Sequence, residues 1–208
     1  MPEELCYLEA TELARRIRAK EISPVQLVRA HLERIDAVNP AINAIVTVVD
    51  GVEEAARAAE ATVMRERRLG PLHGVPFTIK DSLDTASVRT SRGSRLFAQH
   101  VPDADATAVA RLKAAGGIPL AKTNVPEFSF ARETANAVFG RTLNPWDAER
   151  TPGGSSGGEA AAIAAGLSPL GIGSDVAISI RGPAHFCGIG GLQPLLVTYV
   201  WKPDVHAQ

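Results

Sequence analysis

Apolar residues recur at helical spacing through the first third of the chain and give way to short apolar runs beyond Gly74. Thr11 opens a first segment in which Leu13, Ala14 and Ile17 share one face of a predicted helix. In the next, Leu27, Val28, Leu32 and Ile35 form a stripe with Arg29, Glu33, Arg34 and Asp36 between them, the pattern of a surface helix that buries one side. Ser23-Pro24-Val25-Gln26 supplies its N-cap, a proline at the first helical position and a capping-box glutamine, and Asn39-Pro40 is its expected stop. The stretch 42–49, rich in β-branched residues, reads as a strand, and an alanine- and charge-rich helix is expected over about 52–68.

Short apolar runs at 75–79, 118–121 and 167–172 then alternate with helical stretches at 106–115 and 158–165. That rhythm predicts an α/β fold, a sheet with helices on its faces. Glycine and proline mark the turns at 116–117, 144–145, 152–154 and 157–158. No repeat or linker divides the chain, so a single domain is expected: a helical N-terminal layer over 1–70, an α/β core over 71–194 and a tail over 195–208.

Composition narrows the function more than the fold. With 45% hydrophobic residues in 208 there is enough for a buried core. A formal net charge of -1 leaves no basic surplus for nucleic acid or an anionic membrane. The two cysteines, Cys6 and Cys187, lie far apart without metal-ligand spacing, so neither a disulfide framework nor a metal site is expected, and no cofactor motif is present. The N-terminus lacks the pattern of a secretory signal and no apolar run reaches the length of a membrane span, so the expected compartment is the cytoplasm.

The candidate chemistry lies in 151–194 together with one upstream lysine. Ser155 and Ser156 sit in Gly153-Gly154-Ser155-Ser156-Gly157-Gly158, which lets backbone amides approach a ligand and runs into an alanine-rich helix. Ser179 follows Val176, Ala177 and Ile178, whose amides are candidates for an oxyanion pocket. Lys80 ends the apolar run 75–79, where desolvation can lower its pKa. To act as a base near neutrality it must fall from about 10.4 to near 7, which costs about 4 kcal/mol. Taken singly, a Gly/Ser turn, a capping serine and a snorkelling surface lysine are the commoner roles for these residues. Gly153 to Gly157 also satisfies the nucleophile-elbow pattern, but only Asp204 and His206 stand downstream as acid and base, two residues apart.

Three blocks change that balance: GPLHGVPFTIKD at 70–81, KTNVPEF with FGRTLNPWD between 122 and 147, and TPGGSSGGEAAAIAAG through SIRGPAHFCGIGGLQP up to Pro194. Their content, order and spacing resemble the amidase signature family over about residues 5–194. The resemblance implies a mixed central sheet flanked by helices and a Ser–cis-Ser–Lys triad. In that triad Ser179 attacks an amide carbonyl, Ser155 lies on a cis peptide after Gly154 and relays a proton, and Lys80 is the base. Ser156, Asp175 and Arg181 match supporting positions, with Arg181 read as an ion-pair partner of Asp175. The implied ligand is a small amide, cleaved to an acid and ammonia or an amine without cofactor, by a protein free to form homo-oligomers.

Within the family, KTNVPEF and Glu159 look more like a general amidase than like the A subunit of a glutamyl-tRNA(Gln) amidotransferase, which usually carries Met-Asp where Val125-Pro126 stands. Two departures stand out. The family usually has two glycines where this chain has Ala177 and Ile178, and a positive φ there would cost roughly 1–3 kcal/mol for each. The tail 195–208 does not resemble the family's continuation, so the chain is expected to be a truncated part of the domain, with a non-catalytic remnant as the alternative to an amidase.

Overall fold

The computed structural model describes residues 2–65 and 68–193. The tail 195–208, with Asp204 and His206, lies outside the described residues.

A short α1 (Pro2–Leu5) and α2 (Ala10–Arg18) precede the long α3 (Pro24–Ile42). Ser23 caps α3 as its sequence implies, its Oγ accepting from the amides of Val25 and Gln26 at 3.0 and 3.3 Å. The helix does not stop at Asn39-Pro40 but carries Pro40 inside it to Ile42. A proline there removes one intrahelical hydrogen bond, and Asn39 secures the helix end instead. Its carbonyl accepts from Asn43 N at 2.7 Å, its Oδ1 accepts from Ala44 N and Ile45 N at 2.9 and 2.7 Å, and Asn43 closes the helix in the left-handed region.

That closure sends the chain into β1 (Ile45–Val48), after which α4 (Val52–Arg65), β2 (Pro76–Lys80), α5 (Thr107–Ala114) and β3 (Ile118–Thr123) follow. A two-stranded hairpin that the pattern did not predict, β4 (Ala135–Asn136) with β5 (Gly140–Arg141), precedes α6 (Gly157–Ala164), β6 (Gly171–Ile172) and α7 (Arg181–Cys187). The central sheet has the order β1-β3-β2-β6 and is mixed: β1 runs antiparallel to β3, while β3, β2 and β6 are parallel. The segment 1–70 therefore contributes an edge strand to the same sheet as well as helices.

The interior position of β2, between β3 and β6, explains why all five of its residues are buried, Lys80 included. One face of the sheet packs with α3 and α6 through Val28, Ile35, Ala161, Leu120 and Leu167. The other places Phe77 and Ile79 against Val109 of α5. Polar ties join α3 to the end of α6, where Arg34 Nε donates to Ala165 O at 2.7 Å and buried His31 lies 3.2 Å from Gly166 O through Nδ1.

Burial drives the His31 pKa down from 6.5 to about 4 against the pull of that hydrogen bond. The folded chain thus binds fewer protons at this site than the unfolded chain between those pH values, and stability falls as pH drops from about 6.5 to about 4. Denaturant titrations across that window are expected to show a shallower pH slope for a folded His31→Gln variant than for the unsubstituted chain.

Candidate active site

The ends of β2, β6 and the loop before α6 converge on the Lys80 ammonium position. Lys80 Nζ lies 2.6 Å from Ser155 Oγ and 2.9 Å from Ser174 Oγ, in a setting where Lys80 and Ser155 are both buried. Desolvation pushes the Lys80 amine down to about 7, with Glu159 and Asp175 opposing the fall by favouring the charged form. Asp81, the next residue, does not take part. It accepts from Ser91 N at 3.0 Å and stands 3.9 Å from Lys122.

Ser155 reaches the lysine through a crowded glycine turn. The Gly154–Ser155 peptide is cis. A Cβ on Gly154 would come within 2.7 Å of the Arg132 carbonyl carbon and 2.8 Å of Ala131 O, so the close approach of two backbones demands glycine there. Thr134 pins the turn, its hydroxyl donating to Gly153 O at 2.9 Å and accepting from Gly157 N at 3.1 Å. Ser156 stitches it to the following loop: its amide donates to Ser179 O at 3.1 Å and its hydroxyl to Ser174 O at 3.3 Å.

The loop after β6 carries the remaining expected residues. Asp175 accepts from the amides of Ile180 and Arg181 at 3.0 and 3.2 Å, and from Arg181 Nε and Nη2 at 3.0 and 3.2 Å. Burial disfavours ionisation of Asp175, but the Arg181 guanidinium and the amides of Ile180, Arg181 and Ile178 outweigh it and hold the carboxyl well below the usual carboxylate range. Arg181 is therefore an ion-pair partner of Asp175 in this structure. Ser179 is half-buried, and its hydroxyl makes no hydrogen bond to a described residue.

The three amides expected to form an oxyanion pocket are not equivalent. That of Ile178 is directed at Asp175, whereas those of Val176 and Ala177 make no hydrogen bond among the described residues. Of the two residues at which the family resemblance leads one to expect glycine, Ile178 has a positive φ of 78° and Ala177 does not. The strain expected from the missing glycines is confined to a single residue.

Four polar residues at the site, Ser174, Glu159, Thr78 and Thr123, do not stand out as site residues in the sequence. Ser174 is the second contact of Lys80. Glu159 is buried in the first turn of α6 and accepts from the hydroxyls of Thr78 and Thr123, the latter at 2.8 Å. A glutamate in a helix whose other residues are glycine, alanine and isoleucine is the available signal for Glu159, and the two-residue alternation from Lys80 is the signal for Thr78. Among the described residues no cluster of three or more His, Cys, Asp or Glu side chains could hold a metal ion.

The family described as Amidase matches residues 26–199. The chain is 48% identical over 192 residues to the A subunit of a glutamyl-tRNA(Gln) amidotransferase from Carboxydothermus hydrogenoformans, covering 92% of this chain and 40% of that protein. A protein of the same name from Acidothermus cellulolyticus is 48% identical, with 92% of this chain and 38% of the relative covered. Among solved structures, a 6-aminohexanoate cyclic dimer hydrolase superposes with a TM-score of 0.79 at 38% identity, over 88% of this chain and 37% of that one. The chain thus spans about two fifths of the length of these relatives.

An isoleucine at φ 78° is crowded by its branched Cβ, at a cost of roughly 1–2 kcal/mol that glycine avoids and only part of which glycine returns through greater freedom in the unfolded chain. Ile178→Gly is expected to raise unfolding free energy by roughly 1 kcal/mol in urea titrations. A loss of stability would show that the isoleucine side chain is anchored more firmly than its half-exposed position implies.

Proposed function

Because this chain belongs to the Amidase family, we propose that it carries the amide-cleaving centre of a protein resembling the A subunit of glutamyl-tRNA(Gln) amidotransferase, with Ser179 as nucleophile, Ser155 as relay and Lys80 as base. The observation that supports it most directly is the 2.6 Å approach to Ser155 of a buried lysine whose amine is partly neutral near pH 7.

In this reading the Ser179 hydroxyl, which makes no hydrogen bond to a described residue, comes within reach of Ser155 when substrate binds, and its Oγ attacks the amide carbonyl carbon while its proton passes to Ser155 and the Ser155 proton to the Lys80 amine. The negative charge that develops on the carbonyl oxygen faces the amides of Val176 and Ala177. Collapse breaks the C–N bond, and the departing nitrogen takes the proton back through Ser155, leaving an ester on Ser179. Water then attacks the ester as the same relay and lysine accept its proton, and that proton returns through Ser155 to Ser179 Oγ as the C–O bond breaks and the acid leaves. Ser156, Asp175 and Arg181 hold the two loops in place around these steps. Residues 71–194 supply the catalytic core and 1–70 the packing layer with its edge strand. The reaction belongs in the cytoplasm, and the ammonia released would pass to an acceptor bound by partner subunits.

A second reading, a free-standing hydrolase of small amides, is favoured by two observations. Val125-Pro126 stands where the amidotransferase usually carries Met-Asp, and the family resemblance extends to a cyclic-dimer hydrolase at 38% identity. Glutaminase activity that appears only with partner subunits would support the first reading, and hydrolysis of simple amides by the chain alone would support the second.

Intact-mass analysis after exposure to a fluorophosphonate tests the nucleophile common to both. One adduct is expected on the native chain and none on Ser179→Ala, with a labelling rate that rises as pH climbs through about 7 and Lys80 loses its proton. A folded native chain that takes no adduct would leave a non-catalytic remnant and sink the hydrolase reading.

A further inference from the structure

Glu159 reaches the catalytic sheet from the helix that follows the serine turn. Its carboxylate accepts from Thr78 and Thr123. These two threonines bracket Lys80: Thr78 precedes it by two residues on the same strand face, and Thr123 is its register partner on β3. The carboxylate occupies space that exists because residue 171 is glycine, since a Cβ there would collide with the Glu159 side chain. α6 starts directly after Ser155 and Ser156, so the same carboxylate ties the serine turn to the strand pair that bears the lysine.

We infer that Glu159 is the counter-charge of Lys80, a positioning residue that clamps the serine turn onto β2 and β3 and stabilises the ammonium formed when the lysine takes the serine proton. This rests on the proposed function for its role in turnover, but the coupling itself is a property of the folded chain. A buried amine that gains a proton in a low-dielectric site is stabilised by a nearby carboxylate, and the two groups then titrate as a coupled pair. Glu159 is held by two hydroxyl donors and has no solvent to turn towards.

The charges around the pair are few. Lys80 is acted on by Glu159 from α6 and Asp175 from the loop after β6. Glu159 faces Lys80 on β2 and Lys122 on β3. Lys122 is itself balanced by Asp81, Asp84 and Asp105. Burial raises the Glu159 carboxyl to about 7, against the two threonine hydroxyls and the two lysines, which brings it into the range where Lys80 titrates. Asp175, tied to Arg181, stays ionised through that range, which leaves Glu159 as the acid whose charge follows that of the lysine.

The test is a pH titration of the Lys80 ¹⁵Nζ resonance, assigned with Lys80→Met, in the unsubstituted chain and in Glu159→Gln. The glutamine keeps the size of the side chain, accepts from one threonine through its carbonyl and donates its amide to the other, and carries no charge. A fall in the Lys80 midpoint of about one pH unit, a tenfold change in the ammonium-to-amine ratio, is expected in the variant. An unmoved midpoint in a folded Glu159→Gln chain overturns the inference. If the variant does not fold, the unsubstituted chain decides: the Glu159 ¹³Cδ resonance is expected to shift in step with Lys80, and independent titration of the two overturns the inference. Both readouts need no turnover, so a chain that titrates as expected but takes no fluorophosphonate adduct overturns the hydrolase reading and leaves the coupling standing.

Discussion

A lysine amine buried at the end of an interior strand is the constraint around which this structure is arranged. Taking that amine out of water disfavours its charge, which leaves it near half-protonation at neutral pH at a cost of about 4 kcal/mol of stability. The chain answers the cost with two hydroxyl contacts, from Ser155 and Ser174, and two acids at a distance, Glu159 and Asp175. Each arrives on a different element, and each element is held to β2 by packing that the amine itself does not supply.

The glycine turn and the helix behind it act as one unit. Gly154 lets the turn press against the backbone of Ala131 and Arg132, and Thr134 fastens it from the other side. The loop that bears Ser179 is held more loosely. It is anchored through Ser156 and through Asp175 with Arg181, and between these anchors Val176, Ala177 and Ile178 are exposed. Ala177 and Ile178, where the family resemblance leads one to expect glycines, fall in this exposed stretch, and Ile178 is left-handed.

Much of the architecture is legible as periodicity. The stripe of Leu27, Val28 and Ile35 and the cap at Ser23 describe α3, and the short apolar runs describe β2, β3 and the region of β6. The end of α3 escapes the sequence because Pro40 is an unfavourable but tolerated interior residue, and the true stop depends on Asn39 bonding amides that lie beyond the helix. The β4–β5 hairpin escapes it because two-residue strands are too short to alternate. The relatives that are 48% identical over 192 residues carry the amidotransferase name, whereas Val125-Pro126 reads as a general amidase, because two residues discriminate less than similarity along the whole match.

By itself the sequence determined the longer helices and the three parallel strands, their order, and the candidacy of Lys80, Ser155 and Ser179, because periodicity and turn residues are local and the family blocks are contiguous. Only the tertiary structure decided that Ser174 touches the lysine, that Asp81, turned from it by strand alternation, meets Lys122, and that Glu159 is bonded by Thr78 and Thr123. Those relations depend on strand register and on which face of α6 meets the sheet. Both follow from packing between segments that lie far apart in the chain, where no local pattern records them.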